Sequence, residues 1–250
     1  WWRNASRADI GLDNYLAEVS SLDANVGRLV AAIDEKPAAA TRALPGTLIV
    51  FSSDHGPDLA RAAGPEPKSK ARVANMRGST DGRRGAKGTL FEGGIRVPFI
   101  ARGWGVRPGL TGAVFSGWDW LPTISEIARL PPGGAPKAQG EARSCALLGE
   151  PCAPRATPLV WVGSSGGQDN RGGDWAVRDG RYKLHGRDYD YARGVRLYDI
   201  DADPNEAHDL LASHPDVGTR LAKIAHERTR GSWVADVDAA ERMERGDQHV

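Results

Sequence analysis

From Asp9 to about Lys36 the apolar residues return every three or four positions, as Leu12, Tyr15, Leu16, Val19, Leu22, Val26, Leu29, Val30 and Ile33. Asp13, Glu18, Asp23, Arg28 and Asp34 fall on the other face. This spacing predicts an amphipathic helix whose stripe packs against a sheet. Pro37 to Pro45 is an Ala-rich linker. Leu48-Ile-Val-Phe51 is then a short continuous apolar run with β-branched residues and turn signals on both sides. It predicts a strand buried on both faces, and a helix followed by such a strand predicts an α/β unit. Asp58 to Arg84 is a long polar loop. Ile95 to Ala101 reads as the next strand, with Pro98 marking an edge, a bulge or a strand end.

Trp118 to Leu130 carries the next helical pattern, and Pro122 is tolerated in its first turn. Pro131 to Pro158 is rich in Gly, Pro and Ala and reads as a connection. Beyond it Leu159-Val-Trp-Val162 and Trp175 to Leu184 predict strands, with Asp179-Gly180 as a hairpin signal. Val195 to Ile200 predicts a third strand, and Pro215 to Arg228 a helix presenting Val217, Leu221, Ile224 and Ala225. The division expected is an α/β part over residues 1–135, a connection over 136–158 and a small α+β subdomain over 159–250. That subdomain combines an antiparallel sheet and a helix.

Charge narrows the functional classes. Among 250 residues the formal net charge is +1, which argues against a general nucleic-acid binder. No apolar run is long enough for a membrane span. Cys145 and Cys152 lie in a Gly/Pro/Ala-rich loop. A disulfide and a pair of unbonded thiols are both open readings there. The chain begins at Trp1 and leads directly into a helix, as an interior cut would.

Two stretches carry the candidate chemistry. Asp54 and His55 directly follow the first apolar strand. Ligands of open α/β sheets gather beyond the carboxyl ends of strands. Asp offers a hard oxygen suited to Ca²⁺ or Mg²⁺, whereas His alone leaves the metal undecided. An Asx-turn before Gly56-Pro57 explains the aspartate equally well. Lys87 stands between Gly85 and Gly88 in a basic loop holding Arg61, Lys68, Lys70, Arg72, Arg77, Arg83 and Arg84. Such a cluster favours an anionic ligand, and the glycines let backbone approach it. Glu92 and Arg96 are expected to form a structural ion pair. His185 is expected to be exposed, and Trp118 and Trp120 to pack.

Phe51-Ser-Ser-Asp-His-Gly-Pro, Lys87-Gly-Thr-Leu-Phe-Glu-Gly-Gly-Ile-Arg-Val-Pro and Asp119-Trp-Leu-Pro-Thr resemble the C-terminal half of a type I sulfatase. So do Val177-Arg-Asp-Gly-Arg-Tyr-Lys-Leu and Leu197-Tyr-Asp-Ile-Asp-Ala-Asp-Pro-Asn-Glu. The resemblance implies an α/β fold like alkaline phosphatase, with a large mixed sheet between helices and a small C-terminal subdomain. It implies a sulfuric ester hydrolase that takes a sulfated small molecule or carbohydrate. It also implies Ca²⁺, in preference to Mg²⁺, held in part by Asp54 and His55, with Lys87 on the sulfate oxygens. His55 stands where the family often has Asn.

The family nucleophile is a formylglycine made in a Cys/Ser-x-Pro-x-Arg motif, expected upstream. Neither Cys145 nor Cys152 has both Pro and Arg at the required offsets. The 250 residues alone are therefore expected neither to bind Ca²⁺ tightly nor to turn over sulfate esters. A periplasmic, secreted or lysosome-like location is implied by the same resemblance. Two other functions fit these residues. One is a phosphatase, phosphodiesterase or phosphonate hydrolase on the same scaffold. The other is a non-catalytic relative that binds sulfated glycans.

Overall fold

The computed structural model describes residues 7–35, 46–58, 78–130, 139–163, 174–186 and 194–229. The linker expected over 37–45, most of the basic loop and all of 131–138 and 164–173 lie outside them. By contacts the chain divides into two units, Trp1–Ser79 with Pro98–Ala153, and Thr80–Val97 with Pro154–Val250. The Lys87 segment thus groups with the C-terminal residues, whereas the division drawn from sequence placed it with the α/β part.

In the first unit, helix α1 (Arg7–Asp34) precedes strand β1 (Leu48–Ser52). Strand β2 (Phe99–Gly103) pairs antiparallel with β1, so Leu48 faces Gly103 and Ser52 faces Phe99. The strand expected from Ile95 starts only after Pro98, which has no N–H to give the ladder. β1 is not buried on both faces as its apolar run suggested: Leu48 to Val50 are half-buried, and Phe51 and Ser52 are exposed. Among the described residues its sheet has two strands, so little covers it.

The same lack of cover marks α1. Arg102 makes a bidentate ion pair to Asp34 at 3.1 and 3.2 Å, and Val26, Val30 and Ile33 are half-buried. Leu16, Val19, Leu22 and Leu29 stay exposed, so the expected packing of the whole stripe against a sheet is not met within the described residues. Phe99 stacks on Trp120 with ring centroids 5.6 Å apart, and Phe115 lies 5.0 Å from Phe99.

Helix α3 (Trp120–Ile127) follows a 3₁₀ turn at Gly117–Asp119. Asp119, fully buried, accepts N–H bonds from Ser116 (2.8 Å) and Glu141 (2.9 Å). These bonds satisfy donors at the helix start and tether the returning chain. A short helix α4 (Ser144–Leu148), which the sequence pattern did not show, carries Cys145. Cys145 is bonded to Cys152 with Cα atoms 5.4 Å apart, which closes the question left by the spacing. Gly149 ends α4 at φ 65°, the left-handed cap that suits glycine.

The second unit holds the continuous apolar core. Strands β3 (Leu159–Val162), β4 (Trp175–Asp179), β5 (Tyr182–Gly186) and β6 (Arg196–Asp199) form an antiparallel meander in that order. Asp179 pairs with Tyr182 across a two-residue turn, and Gly180 sits at φ 58°, as the hairpin signal predicted. Val160, Val177, Leu184 and Leu197 align across the four strands on one face. Helix α5 (Pro215–Thr229) lays Leu221, Ala222 and Ala225 onto that face. Alternation sends Lys183, His185 and Tyr198 to the opposite face. There they meet the segment 80–97, including helix α2 (Glu92–Ile95).

Candidate functional site

Asp54 and His55 stand where β1 ends. The turn is fixed by its own polar groups: the His55 N–H donates to Asp54 Oδ1 at 3.0 Å, and Ser53 Oγ donates to the His55 carbonyl at 2.9 Å. The Asp54 carboxylate accepts from the next residue and not from two residues on, so these bonds are not the Asx-turn the sequence left open. Gly56 is buried, and a Cβ on Gly78 would come within 2.7 Å of Pro57 Cβ. The chain returning from the basic loop therefore presses on the turn.

The two side chains also meet directly. His55 Nε2 lies 3.1 Å from Asp54 Oδ2, and Nδ1 lies 2.8 Å from the Gly56 carbonyl. A carbonyl can only accept, so Nδ1 carries a proton, and in the neutral ring Nε2 is then a lone pair. That lone pair faces a carboxylate oxygen. A second proton or a cation shared by both groups relieves the repulsion. The pair therefore fits as part of a cation site. Among the described residues no group of three or more His, Cys, Asp or Glu could hold a metal. Two donors fall short of the six to eight that Ca²⁺ takes.

Lys87 belongs to the second unit. It is exposed at the tip of a loop whose base is buried at Ala86 and Leu90. Thr89 knots the loop: its N–H and hydroxyl both donate to the Ala86 carbonyl (3.0 and 2.8 Å), and Oγ1 accepts from the Ala86 N–H (3.1 Å). Gly85 and Gly88 adopt φ 80° and 82°, where a side chain is strained. Below them the Gly93 N–H donates to the Arg84 carbonyl at 2.7 Å. A Cβ on Gly93 would lie 2.5 Å from the Gly85 carbonyl oxygen and 2.6 Å from that of Arg84. The glycine pair is thus a floor on which the Lys87 loop rests.

The arginines beside Lys87 serve the scaffold. Arg83 pairs with Asp81 at 3.3 Å. Arg84 lies 4.2 Å over the Phe91 ring and donates to the Tyr198 hydroxyl (2.9 Å) and the Glu206 carbonyl (3.2 Å). Burial pushes the Tyr198 phenol up, with the Arg84 guanidinium opposing it. His185 is buried and stacked on Phe91 at 4.2 Å, which corrects the exposed position expected of it. The strand's alternation turns it towards the 80–97 segment instead of solvent. Arg61, Lys68, Lys70, Arg72 and Arg77 lie outside the described residues.

The feature sequence reading missed is a buried ionic triad. Lys183 Nζ lies 3.0 Å from Glu92 Oε1 and 2.8 Å from Glu206 Oε1, and all three side chains are almost fully enclosed. Glu206 Oε2 also accepts the Glu92 N–H at 2.6 Å. Burial pushes the Glu206 carboxyl up, with Lys183 as the main opposing influence. The expected Glu92–Arg96 pair exists at 3.8 Å, but Lys183 is the closer partner. A lysine between Tyr182 and Leu184 in a strand was the available signal. A charged residue in a buried strand needs a countercharge.

The strand-end carboxylate–imidazole pair lies in the first unit and the lysine on its glycine-floored loop in the second. Comparison gives the family. The sulfatase family model matches residues 6–130, and the chain belongs to the sulfatase family. Human arylsulfatase A is 32% identical over 206 residues, covering 81% of this chain and 36% of that protein. Choline-sulfatase of Rhizobium meliloti (strain 1021) is 29% identical over 209 residues, covering 78% and 32%. The chain therefore spans about a third of the length of these curated relatives.

Among solved structures, one from a study of glycosaminoglycan metabolism by Bacteroides thetaiotaomicron superposes with a TM-score of 0.60 at 24% identity. It covers 82% of this chain and 42% of that one. The phosphonate monoester hydrolase of Agrobacterium radiobacter gives 0.51 at 20% identity, covering 85% and 40%. The fold is of the alkaline-phosphatase type, a mixed α/β architecture with antiparallel sheets among the described residues. Because phosphonate and sulfate chemistry share it, the fold does not choose the group transferred. No helix among the described residues is long and apolar enough to cross a membrane.

Proposed function

We propose that this chain is the C-terminal part of a sulfuric ester hydrolase, with residues 159–250 as its closing α+β subdomain. The observation that carries the proposal is family membership joined to Lys87 on its glycine-floored loop. The relatives act, by their names, on unlike molecules whose shared element is a sulfate ester. The substrate class is therefore a sulfated small molecule or carbohydrate.

In this reading Lys87 binds the sulfate oxygens and neutralises charge that gathers on the leaving oxygen as the S–O bond breaks. Its exposure at the loop tip lets the ammonium reach a ligand, and the knotted base holds it in place. Asp54 and His55 would hold Ca²⁺ in part. Ca²⁺, when bound, would supply positive charge. The nucleophile is a formylglycine formed from a Cys- or Ser-x-Pro-x-Arg motif in the upstream part of the protein. Cys152 is excluded from that role here: it is bonded to Cys145, and Ala156 stands where the motif needs Arg.

The test is turnover of an aryl sulfate and an aryl phosphate by the protein that contains this chain. Sulfate ester hydrolysis should dominate, and Lys87→Ala should slow it by about two or more orders of magnitude. Asp54→Ala should remove stoichiometric Ca²⁺. Preference for the phosphate, or an unchanged rate in Lys87→Ala, would overturn the proposal.

A further inference from the structure

The Lys87 loop has no apolar core of its own; it stands on α2, and α2 is held from below by two residues far along the chain. Glu206 Oε2 receives the Glu92 N–H at 2.6 Å, the donor that opens α2. Lys183, at the centre of the four-stranded sheet, clamps both carboxylates at 3.0 and 2.8 Å. Glu206 holds this place with φ 54°, a left-handed conformation that costs a non-glycine residue about 1 kcal/mol or more. Its carbonyl also receives Arg84, whose own carbonyl receives the Gly93 N–H. Each contact links the turn at 203–206 and strand β5 to the backbone from 84 to 94.

We infer that Glu206 and Lys183 are positioning residues for Lys87, so that the C-terminal sheet forms the base of the anion-binding loop. The inference rests on the reading of Lys87 as the sulfate-binding group. Hydrogen-bond direction supports it. Glu206 Oε2 accepts the Glu92 N–H and Oε1 forms the ion pair with the Lys183 ammonium, so a carboxylate at full length is needed. An aspartate there would withdraw by one methylene and could not meet both. With Glu92 no longer anchored, Gly93 and Gly94 move, and the carbonyls of 83–86 that rest against them follow. The lysine tip is carried with its base.

The experiment is a titration of the full chain with inorganic sulfate, with chloride at equal ionic strength as the control. It is followed through the amide signals of Gly85 and Gly88. A double-mutant cycle is built from Lys87→Ala and Glu206→Asp. Each single variant should weaken sulfate binding, Lys87→Ala by about tenfold and Glu206→Asp by about fivefold, and the pair should be no weaker than Lys87→Ala alone. A purely structural role for Glu206 would not vanish in the Lys87→Ala background. Exchange protection of the Leu184 and Leu197 amides reports that the sheet is intact.

If Glu206→Asp loses that protection, Tyr198→Phe takes its place in the cycle. It deletes the hydroxyl that receives Arg84 at 2.9 Å and should weaken sulfate by about twofold to threefold through Lys87. Sulfate binding indifferent to Lys87→Ala, or absent, would overturn the reading of Lys87 and this inference with it. Binding that depends on Lys87 but is unchanged by Glu206→Asp, or by Tyr198→Phe where that stands in, would overturn the positioning role alone. So would effects that add in the double variant.

Discussion

Replacing Lys183 by Met isolates the energetic role of the buried triad. Met keeps the length and the apolar stem of the side chain and deletes the ammonium. Lys183 and Glu206 have no exposed side-chain surface and Glu92 has 4%, so the two carboxylates left behind gain no compensating water. Removing one partner of a buried ion pair costs about 3–5 kcal/mol. The loss should depend on pH, and the sign follows from Glu206. Its carboxyl is already pushed above the ordinary 4.5 by burial, and Lys183 is the main influence holding it down. Without the lysine it rises further. A carboxyl raised in the folded state stabilises below its unfolded value and loses that contribution as pH climbs through the folded one.

Lys183→Met should therefore cost most near pH 8 and less near pH 5, where protonation relieves one carboxylate. Each pKa unit gained in the variant widens that gap by about 1.4 kcal/mol. Denaturant unfolding at the two pH values, read by the fluorescence of buried Trp175, measures both quantities. A loss below about 1 kcal/mol at pH 8, or an equal loss at both pH values, would refute the reasoning.

Two glycine substitutions should separate steric from conformational effects in the Lys87 loop. Gly93→Ala drives a Cβ to 2.5 Å from a backbone oxygen and should destabilise by at least about 3 kcal/mol, whereas Gly88→Ala meets open space at φ 82° and should cost about 1–2 kcal/mol in unfolding experiments. Cys145→Ser with Cys152→Ser should cost about 2.5 kcal/mol, the entropy of the short loop released, and an unfolding midpoint indifferent to reducing agent would contradict this. Asp199 is held below the ordinary carboxylate range by its hydrogen bond from Arg181, so its stabilisation should persist at pH 4 and fade below it. Asp199→Asn should flatten that acid limb of the stability curve.

The elements that could be read in advance were those whose pattern is local. The Asp179-Gly180 hairpin and the helix from Pro215 obey short-range rules, and both stand where those rules put them. Segments that depend on distant partners were misread. The apolar run of β1 carries the signature of a doubly covered strand, yet among the described residues it has one neighbour. His185 and Lys183 alternate with apolar residues in β5, a pattern that normally means solvent on the polar side. The cover on that side is a segment about ninety positions earlier, and no local rule points to it. That Asp54 and His55 follow the end of β1 was legible because a strand end is a local feature. The pairing of Glu206 was not, because its partners Lys183 and Glu92 lie on other elements earlier in the chain, Glu92 by 114 positions.

The same contrast bears on how firmly each half of the candidate chemistry is held. Lys87 stands on a sheet whose other face is closed by α5 and whose near face is pinned by an enclosed ionic triad. The left-handed backbone of Glu206 persists only where surrounding contacts over-determine it. In the reading of Lys87 as the sulfate-binding group, the loop backbone beneath it is held before the ligand arrives, so less ordering is left to the binding step. Asp54 and His55 end a two-stranded sheet with Phe51, Phe99 and Ile100 exposed on its strands. Such a sheet is marginal without further cover. The turn keeps its own hydrogen bonds, but the strand beneath it has one neighbour among the described residues. Cation affinity at Asp54 and His55 should therefore respond to whatever covers β1 more steeply than sulfate affinity at Lys87 does.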